Sequence, residues 1–379
     1  MGKVELVHPS ELGAGERRAW STLQAQTPEF GSPLLGPAFA TLIGEIRADA
    51  RVAIWRDGRR ASGFFGFHRT FGGFARPIGA PFCDYHALVT GPGFGDPAQA
   101  LEAAGLKGVR LTGLVDPYGL FSDGLEPVLA HRIDLSAGAE AYFDELWSAS
   151  RNRLRNYKRY SRRLERQIGP LRIVAEDRSP DTFATLLAWK RRQLAATGLH
   201  DFTASPWVNE LFHRVVETRG ADFGGLMITL YAGERPVAAH FGVRQDGWYH
   251  PWIGAYDPGL AGFSPGVVHQ VMAAAAAAEA GVRIYDLGPR ADRSKTMFAN
   301  AAVTVHEGLA VGASLPARLA AGSERLLGQA GGGLGLLGRA RKRWDHVAAV
   351  ETTVPGRIAG MARAAGALSR RREAWMRAG

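Results

Sequence analysis

Apolar and polar positions alternate along this chain in two registers, one suited to strands and one to helices. In the first third, Val4–His8 reads as a strand. Leu12–Gln26 and Pro37–Arg47 carry helical spacing, the second with Pro at its start. Arg51–Trp55 and Ser62–Arg69 alternate as strands around Asp57-Gly58. Residues 70–95 are rich in Gly and Pro and predict irregular strands and loops. A helix over Ala98–Ala104 and strands over Val109–Leu114 and Ala130–Leu135 complete an α/β unit.

The pattern then changes period. Residues 139–168 run without a breaker to Gly169-Pro170 and predict one long helix, apolar at its start (Tyr142, Phe143, Leu146, Trp147) and basic afterwards. It is expected to connect the two halves. A second α/β unit follows, with a strand at 171–175, helices near 181–197 and 207–218, and strands at 225–231, 236–244 and 248–256. A helix at 265–280, a strand at 283–287 and a strand near 302–306 close it. The expected domains are 1–138, a connector 139–169, 170–311, and a basic tail 312–379.

The two units echo each other weakly. Gly63-Phe-Phe-Gly-Phe follows Arg56-Asp-Gly-Arg-Arg much as Ala239-His-Phe-Gly-Val follows Ala232-Gly-Glu-Arg-Pro. A duplicated α/β domain is one reading, and chance in an Ala- and Gly-rich chain is the other. Under duplication Phe64 stands where His240 stands, so polar chemistry survives only in the second half.

Composition adds limits. With 379 residues and 46% hydrophobic content the chain can bury the cores of two domains. A lone cysteine, Cys83, excludes an intrachain disulfide framework and a Cys-rich zinc site. No signal peptide and no apolar run of ~18 residues is present, so a cytoplasmic protein is expected. The formal charge of +10 is concentrated. Residues 151–166 hold eight basic residues and one acidic, and residues 316–379 hold twelve basic and four acidic. Such stretches suit nucleic acid, anionic lipid, a phosphorylated substrate, or simply a solvated helix face. In the tail the run Gly328–Gly338 precedes two basic segments, Arg339–Val350 and Pro355–Arg377, and the helical spacing of the second suits the inner membrane surface, self-association, packing on the body or partial disorder.

The candidate chemistry lies between residues 225 and 298. Asp246-Gly247 is a two-residue hairpin signal, and pairing Gln245 with Trp248 places His240 opposite Ile253. His240 then shares a face with Arg244, Tyr249, Ile253 and Asp257, while His250 takes the other. A histidine beside a carboxylate suits removal of a proton from an amine or hydroxyl. Asp286 ends a strand, where open α/β sheets bind ligands, and Lys295 is suited to an anionic group. Gly262, Phe263, Ser264 and Gly266 open a helix, whose free N–H groups and positive dipole end suit a phosphate. Each also has a plain structural role: a core histidine, turn caps, a surface lysine.

The order of these pieces resembles the GNAT acyltransferase superfamily. Residues 139–310 look like the acetyltransferase domain of the cellulose and exopolysaccharide biosynthesis family (CelD/BcsL type), related to the FemAB-like double-GNAT proteins. The resembling stretches are Trp189-Lys-Arg-Arg-Gln193, Val237-Ala-Ala-His-Phe-Gly242, Ala255-Tyr-Asp-Pro258, Phe263-Ser-Pro-Gly266, Asp286-Leu-Gly288 and Lys295. The resemblance implies tandem GNAT-like α/β domains with mixed sheets in a bacterial protein. It implies transfer of an acetyl or other acyl group from acyl-CoA to a glycan-linked amine or hydroxyl in exopolysaccharide or envelope assembly. His240 or Asp257 would accept the nucleophile's proton, the Gly262–Gly266 stretch would hold the donor's phosphates, and Asp286 or Lys295 would position the acceptor. The FemAB relation implies as an alternative an aminoacyl transferase drawing on aminoacyl-tRNA, with the basic connector facing the RNA. A non-catalytic module that keeps the fold is the third. The chain departs from the family at Ser294, where Tyr is usual, and at Gly288-Pro-Arg-Ala-Asp292.

Overall fold

The computed structural model describes residues 3–121, 124–220, 222–329, 343–345 and 347–362. In chain order it begins β1 (Lys3–Val7), α1 (Ala14–Gln26), α2 (Pro37–Ile46), β2 (Ala50–Asp57), β3 (Arg60–Arg69), β4 (Phe74–Pro77), β5 (Val89–Thr90), α3 (Pro97–Ala103), β6 (Gly108–Leu114) and β7 (Leu125–Asp134). It continues through α4 (Ala139–Ala149), α5 (Arg151–Ile168), β8 (Leu171–Val174), α6 (Pro180–Thr197), α7 (Pro206–Glu217), β9 (Gly224–Ala232), β10 (Arg235–Gln245) and β11 (Trp248–Tyr256). The last elements are α8 (Pro265–Glu279), β12 (Ile284–Pro289), α9 (Arg293–Phe298), β13 (Ala301–Val311) and α10 (Leu315–Gln329).

Two compact units form. One comprises Met1–Val128, Gly198–Leu211 and Thr304–Gly379, the other Leu129–Thr197 and Phe212–Val303. The first unit's strands run β1-β2-β3-β4-β6-β13, with β5 beside β3. Its neighbours are antiparallel except β4 and β6, which are parallel. In the second unit the order is β8-β9-β10-β11-β12-β7, antiparallel except for β11 and β12. The same plan thus occurs twice: a strand, two helices, an antiparallel meander, a helix, a parallel strand and an antiparallel closing strand. The sequence echo is a repeat of topology. At Phe64 the first unit has a fully buried ring stacked on Trp20 at 4.9 Å.

The expected single helix over 139–168 is two helices, and both belong to the second unit. Ser150 is extended (φ −161°, ψ 101°) and breaks it. The break serves an aromatic row. Phe143 stacks on Trp147 at 5.7 Å, and Trp147 on Tyr157 at 6.0 Å. Ten residues span about 15 Å along an unbroken helix, too far for that second stack. Beyond the break, Leu164 is fully buried and seats α5 against α8, β8 and β9.

In the second unit the sheet's buried face meets α8 through small side chains, which allow close approach. Ala273, Ala274 and Ala277 pack with Ile133, Ile228, Tyr249 and Tyr285. The β10–β11 hairpin turns at Asp246 (φ 47°) and Gly247 (φ 81°), the paired positive φ values of a tight twisted turn. Its register starts as expected, Gln245 with Trp248 and Val243 with His250. It then shifts between Phe241 and Gly242, where β11 inserts one residue, Trp252. Gly242 is obligatory at this bulge, because a Cβ there would strike the His250 carbonyl oxygen and lie 2.5 Å from Pro251 Cα. Gly242→Ala is expected to destabilise the protein by about 1–3 kcal/mol, read as a lower urea midpoint at unchanged m value.

Within the first unit, Val347 and Val350 are fully buried, and Trp207 Nε1 donates to the Val350 carbonyl at 2.7 Å. Most of Gly328–Gly338 and of Pro355–Arg377 lies outside the described residues. Among the described residues, no helix is long and apolar enough to cross a membrane.

Candidate active site

The second unit's sheet opens at its centre. The parallel strands β11 and β12 pair at Trp248–Ile284 and Tyr249–Tyr285 only. Beyond that point β11 follows β10 to Ala238–Tyr256, and β12 follows β7 to Pro289–Ala130. The facing backbone edges diverge with no ladder between them. A split between parallel strands offers peptide groups that a sheet would otherwise use up, which is where an extended ligand can pair.

His240 faces this region. The inserted Trp252 changes its predicted partner from Ile253 to Gly254 and turns Ile253 to the other face. The ring lies over Gly254, where a Cβ would come 2.7 Å from Nε2 and 2.8 Å from Cδ2. Nδ1 is 2.6 Å from the Tyr285 hydroxyl, and the His269 ring centroid is 4.4 Å away. Burial is the main cause that lowers the His240 pKa well below the usual value, and the charges of His269 and Lys190 add to it. Burial likewise pushes the Tyr285 hydroxyl far up, so it keeps its proton. His240 is therefore neutral near pH 7. When its Nδ1–H is given to the Tyr285 oxygen, the lone pair sits on Nε2, beside Gly254.

The other expected residues are placed differently. The same one-residue shift separates Asp257 from the His240 face, since Asp257 N–H bonds Val237 O. Its Oδ1 accepts from Gly259 N–H at 2.9 Å, and its other oxygen pairs with Arg235. This is a turn cap. Asp286 alternates with Tyr285 and so takes the face opposite His240. It is 1% exposed, accepts from Gly288 N–H at 2.7 Å, and lies 3.4 Å from Arg132 Nε and 3.7 Å from His250 Nδ1. His250 is on that opposite face, as expected. Lys295 Nζ donates to Pro289 O at 2.8 Å, and its backbone N–H to Asp292 Oδ1 at 2.8 Å. It fastens the turn after β12, where Arg290 holds a φ of 66°.

The start of α8 offers fewer donors than its sequence suggests. Pro265 has no N–H, and Val267 N–H is returned to Ser264 O at 3.0 Å. Ser264 is left-handed (φ 51°, ψ 51°) and makes no side-chain cap. Gly266 N–H and the positive helix end remain. Cationic charge comes from α5: Arg163 Nη1 donates to Gly262 O at 3.3 Å, and its guanidinium lies 4.7 Å from the Phe263 ring.

Sequence reasoning missed Tyr285 and Lys190, although Lys190 stands in a stretch used for the family comparison and Tyr285 directly precedes another. Tyr285 looked like one more apolar strand position. Lys190 sits on a helix, and only its burial, which lowers its pKa, sets it apart from Arg191 and Arg192.

These buried histidines predict an acid-sensitive fold. His269 is pulled down to about 4 and, in the first unit, His86 to about 3, both by burial. Each binds a proton more readily when unfolded, so its stability contribution is whole above the unfolded pKa and is lost as pH falls. Below pH ~6.5 each should cost about 1 kcal/mol per pH unit, His269 down to about pH 4 and His86 further. Urea midpoints measured from pH 7 to pH 4 check this, and His269→Gln should flatten the slope.

Residues 151–296 match the family described as an acetyltransferase (GNAT) domain. Among solved structures, a conserved protein of unknown function from Bacteroides thetaiotaomicron aligns with a TM-score of 0.51 at 9% identity, covering 81% of this chain and 99% of that one. FemX aligns at 0.49 and 11% identity, covering 80% of this chain and 96% of FemX. A tandem GNAT protein from the clavulanic acid biosynthesis pathway aligns at 0.47 and 13%, covering 82% and 100%. A search among curated proteins finds no match. The family match gives the second unit a GNAT-like fold.

Proposed function

We propose that this chain is an acyl-CoA-dependent acyltransferase that moves an acetyl or similar group to a sugar-linked amine or hydroxyl in polysaccharide or envelope assembly. The observation that carries this reading is the split between β11 and β12 with His240 and Tyr285 at its closed end. The donor's pantetheine arm, an extended chain of amides, is suited to the unpaired strand edges. Its phosphates are suited to Gly266 N–H and Arg163. The absence of a side chain at Gly254 is what lets the His240 ring lie against β11.

In this account the acceptor's amine or hydroxyl attacks the thioester carbonyl, the C–S bond breaks, and the thiolate leaves. Backbone N–H groups of the split stabilise the oxyanion. His240 Nε2 takes the acceptor's proton, Tyr285 holds the ring through Nδ1, and the leaving sulfur is finally protonated. Asp257, Asp286 and Lys295 act as positioning residues for the loop, strand and turn that frame the split. The glycan acceptor rests on the family resemblance.

Titration calorimetry with acetyl-CoA tests the donor. One site in the micromolar range is expected, and no heat at high micromolar donor would remove acyl-CoA from the account. Binding of aminoacyl-tRNA in its place would turn the reading towards an aminoacyl transferase.

A further inference from the structure

The helix α5 carries a row of charge that the catalytic account leaves unused. Along its 18 residues, Arg151, Arg155, Lys158, Arg159, Arg162 and Arg166 recur at spacings of three and four. Such spacing gathers them in one sector, and each is exposed. The opposite sector holds Leu154, Tyr157, Tyr160, Leu164 and Ile168, and packs on α8, β8 and β9. Glu165 is the helix's one acid. A solvated helix face would mix its signs, because like charges at these spacings repel.

We propose that this stripe seats the second unit on an anionic bilayer surface, with lipid phosphates as its partners. Three features favour a lipid surface over RNA. An arginine helix that enters an RNA groove needs most of its circumference, and α5 has one side packed. Single-stranded RNA needs exposed aromatic platforms, and Tyr157 and Tyr160 belong to the packed side. A straight row of cations on one outward sector can meet a plane all at once, and clusters of about 4–8 basic residues on an amphipathic helix suit acidic headgroups. The apolar side is already used inside the unit, so the contact is electrostatic and does not involve insertion. Guanidinium groups suit phosphate oxygens through paired donors.

This inference is independent of the donor reading, and its test can fail without touching it. Full-length protein is sedimented with phosphatidylcholine vesicles, alone or with about one third phosphatidylglycerol, at near-physiological salt. Binding is expected only to the anionic vesicles and should fall steeply with added salt. Each removed cation should cost about fivefold in vesicle affinity, and reversal more. The triple variant Arg155→Glu/Arg162→Glu/Arg166→Glu should therefore lose at least 100-fold, while the matching triple Lys variant keeps most binding. Circular dichroism and calorimetric titration with acetyl-CoA, both unchanged in the triple variant, show that the fold and donor site persist. Equal binding to neutral vesicles, vesicle binding that survives the triple reversal, or binding of RNA with none to vesicles would each overturn the proposal.

Discussion

Replacing His240 by alanine should lower kcat for acyl transfer by about 10²–10⁴-fold, the range lost when a positioned proton acceptor is removed. The donor KM should barely move, because the imidazole acts on the acceptor's proton and not on the phosphates. Folding should survive. The ring is neutral and partly buried, and the cavity it leaves is bordered by Gly254 and the His269 ring. Tyr285→Phe separates positioning from catalysis. It keeps the aromatic contacts with Tyr249 at 4.9 Å and removes only the oxygen that meets Nδ1. A smaller kcat loss is expected, with a changed pH profile and an unchanged donor affinity. A His240→Ala enzyme with undiminished kcat would take His240 out of the mechanism.

The second large effect concerns stability. Arg132→Met should destabilise the second unit by about 3–5 kcal/mol, because it strips a buried carboxylate of its cation. Asp286 is 1% exposed and Arg132 8% exposed, so water cannot replace the lost partner. Arg132 also lies over the Trp248 ring, with 4.4 Å from guanidinium carbon to centroid. The strand pair holds one side of the split, since Arg132 and Asp286 are register partners on β7 and β12. Urea unfolding should show a lower midpoint. Asp286→Asn, which removes the charge and keeps the shape, should recover part of the loss when combined with Arg132→Met. A single Arg132→Met change costing under about 1 kcal/mol would mean that the carboxylate is not held as a buried ion.

Local pattern carried most of the elements. Period-two runs with an Asp-Gly turn fixed β9 to β11, and the Ala-rich run fixed α8, because these signals act over a few residues. Three features act over longer range. The bulge at Trp252 leaves no mark in an alternating pattern, and one inserted residue is enough to part Asp257 from His240. The pairing of β7 with β12 and of β13 with β6 joins segments far apart in sequence, which periodicity cannot report. The break at Ser150 follows from stacking across two helices, while the residues around it are ordinary helix formers. The site was legible as a neighbourhood. His240 and the strand of Tyr285 and Asp286 were both found, but the division of that strand into one residue facing His240 and one facing Arg132 needed the register.

The account turns on the split between β11 and β12 as the place where the acyl donor lies. Hydrogen exchange with and without acetyl-CoA tests it directly, because backbone groups that gain partners exchange more slowly. Donor binding should protect the amides of Trp252–Tyr256 in β11, Asp286–Gly288 in β12 and Gly266–Val268 at the start of α8, and leave β8 unchanged. Saturating donor that protects none of these, or protects a different part of the chain, would contradict the account.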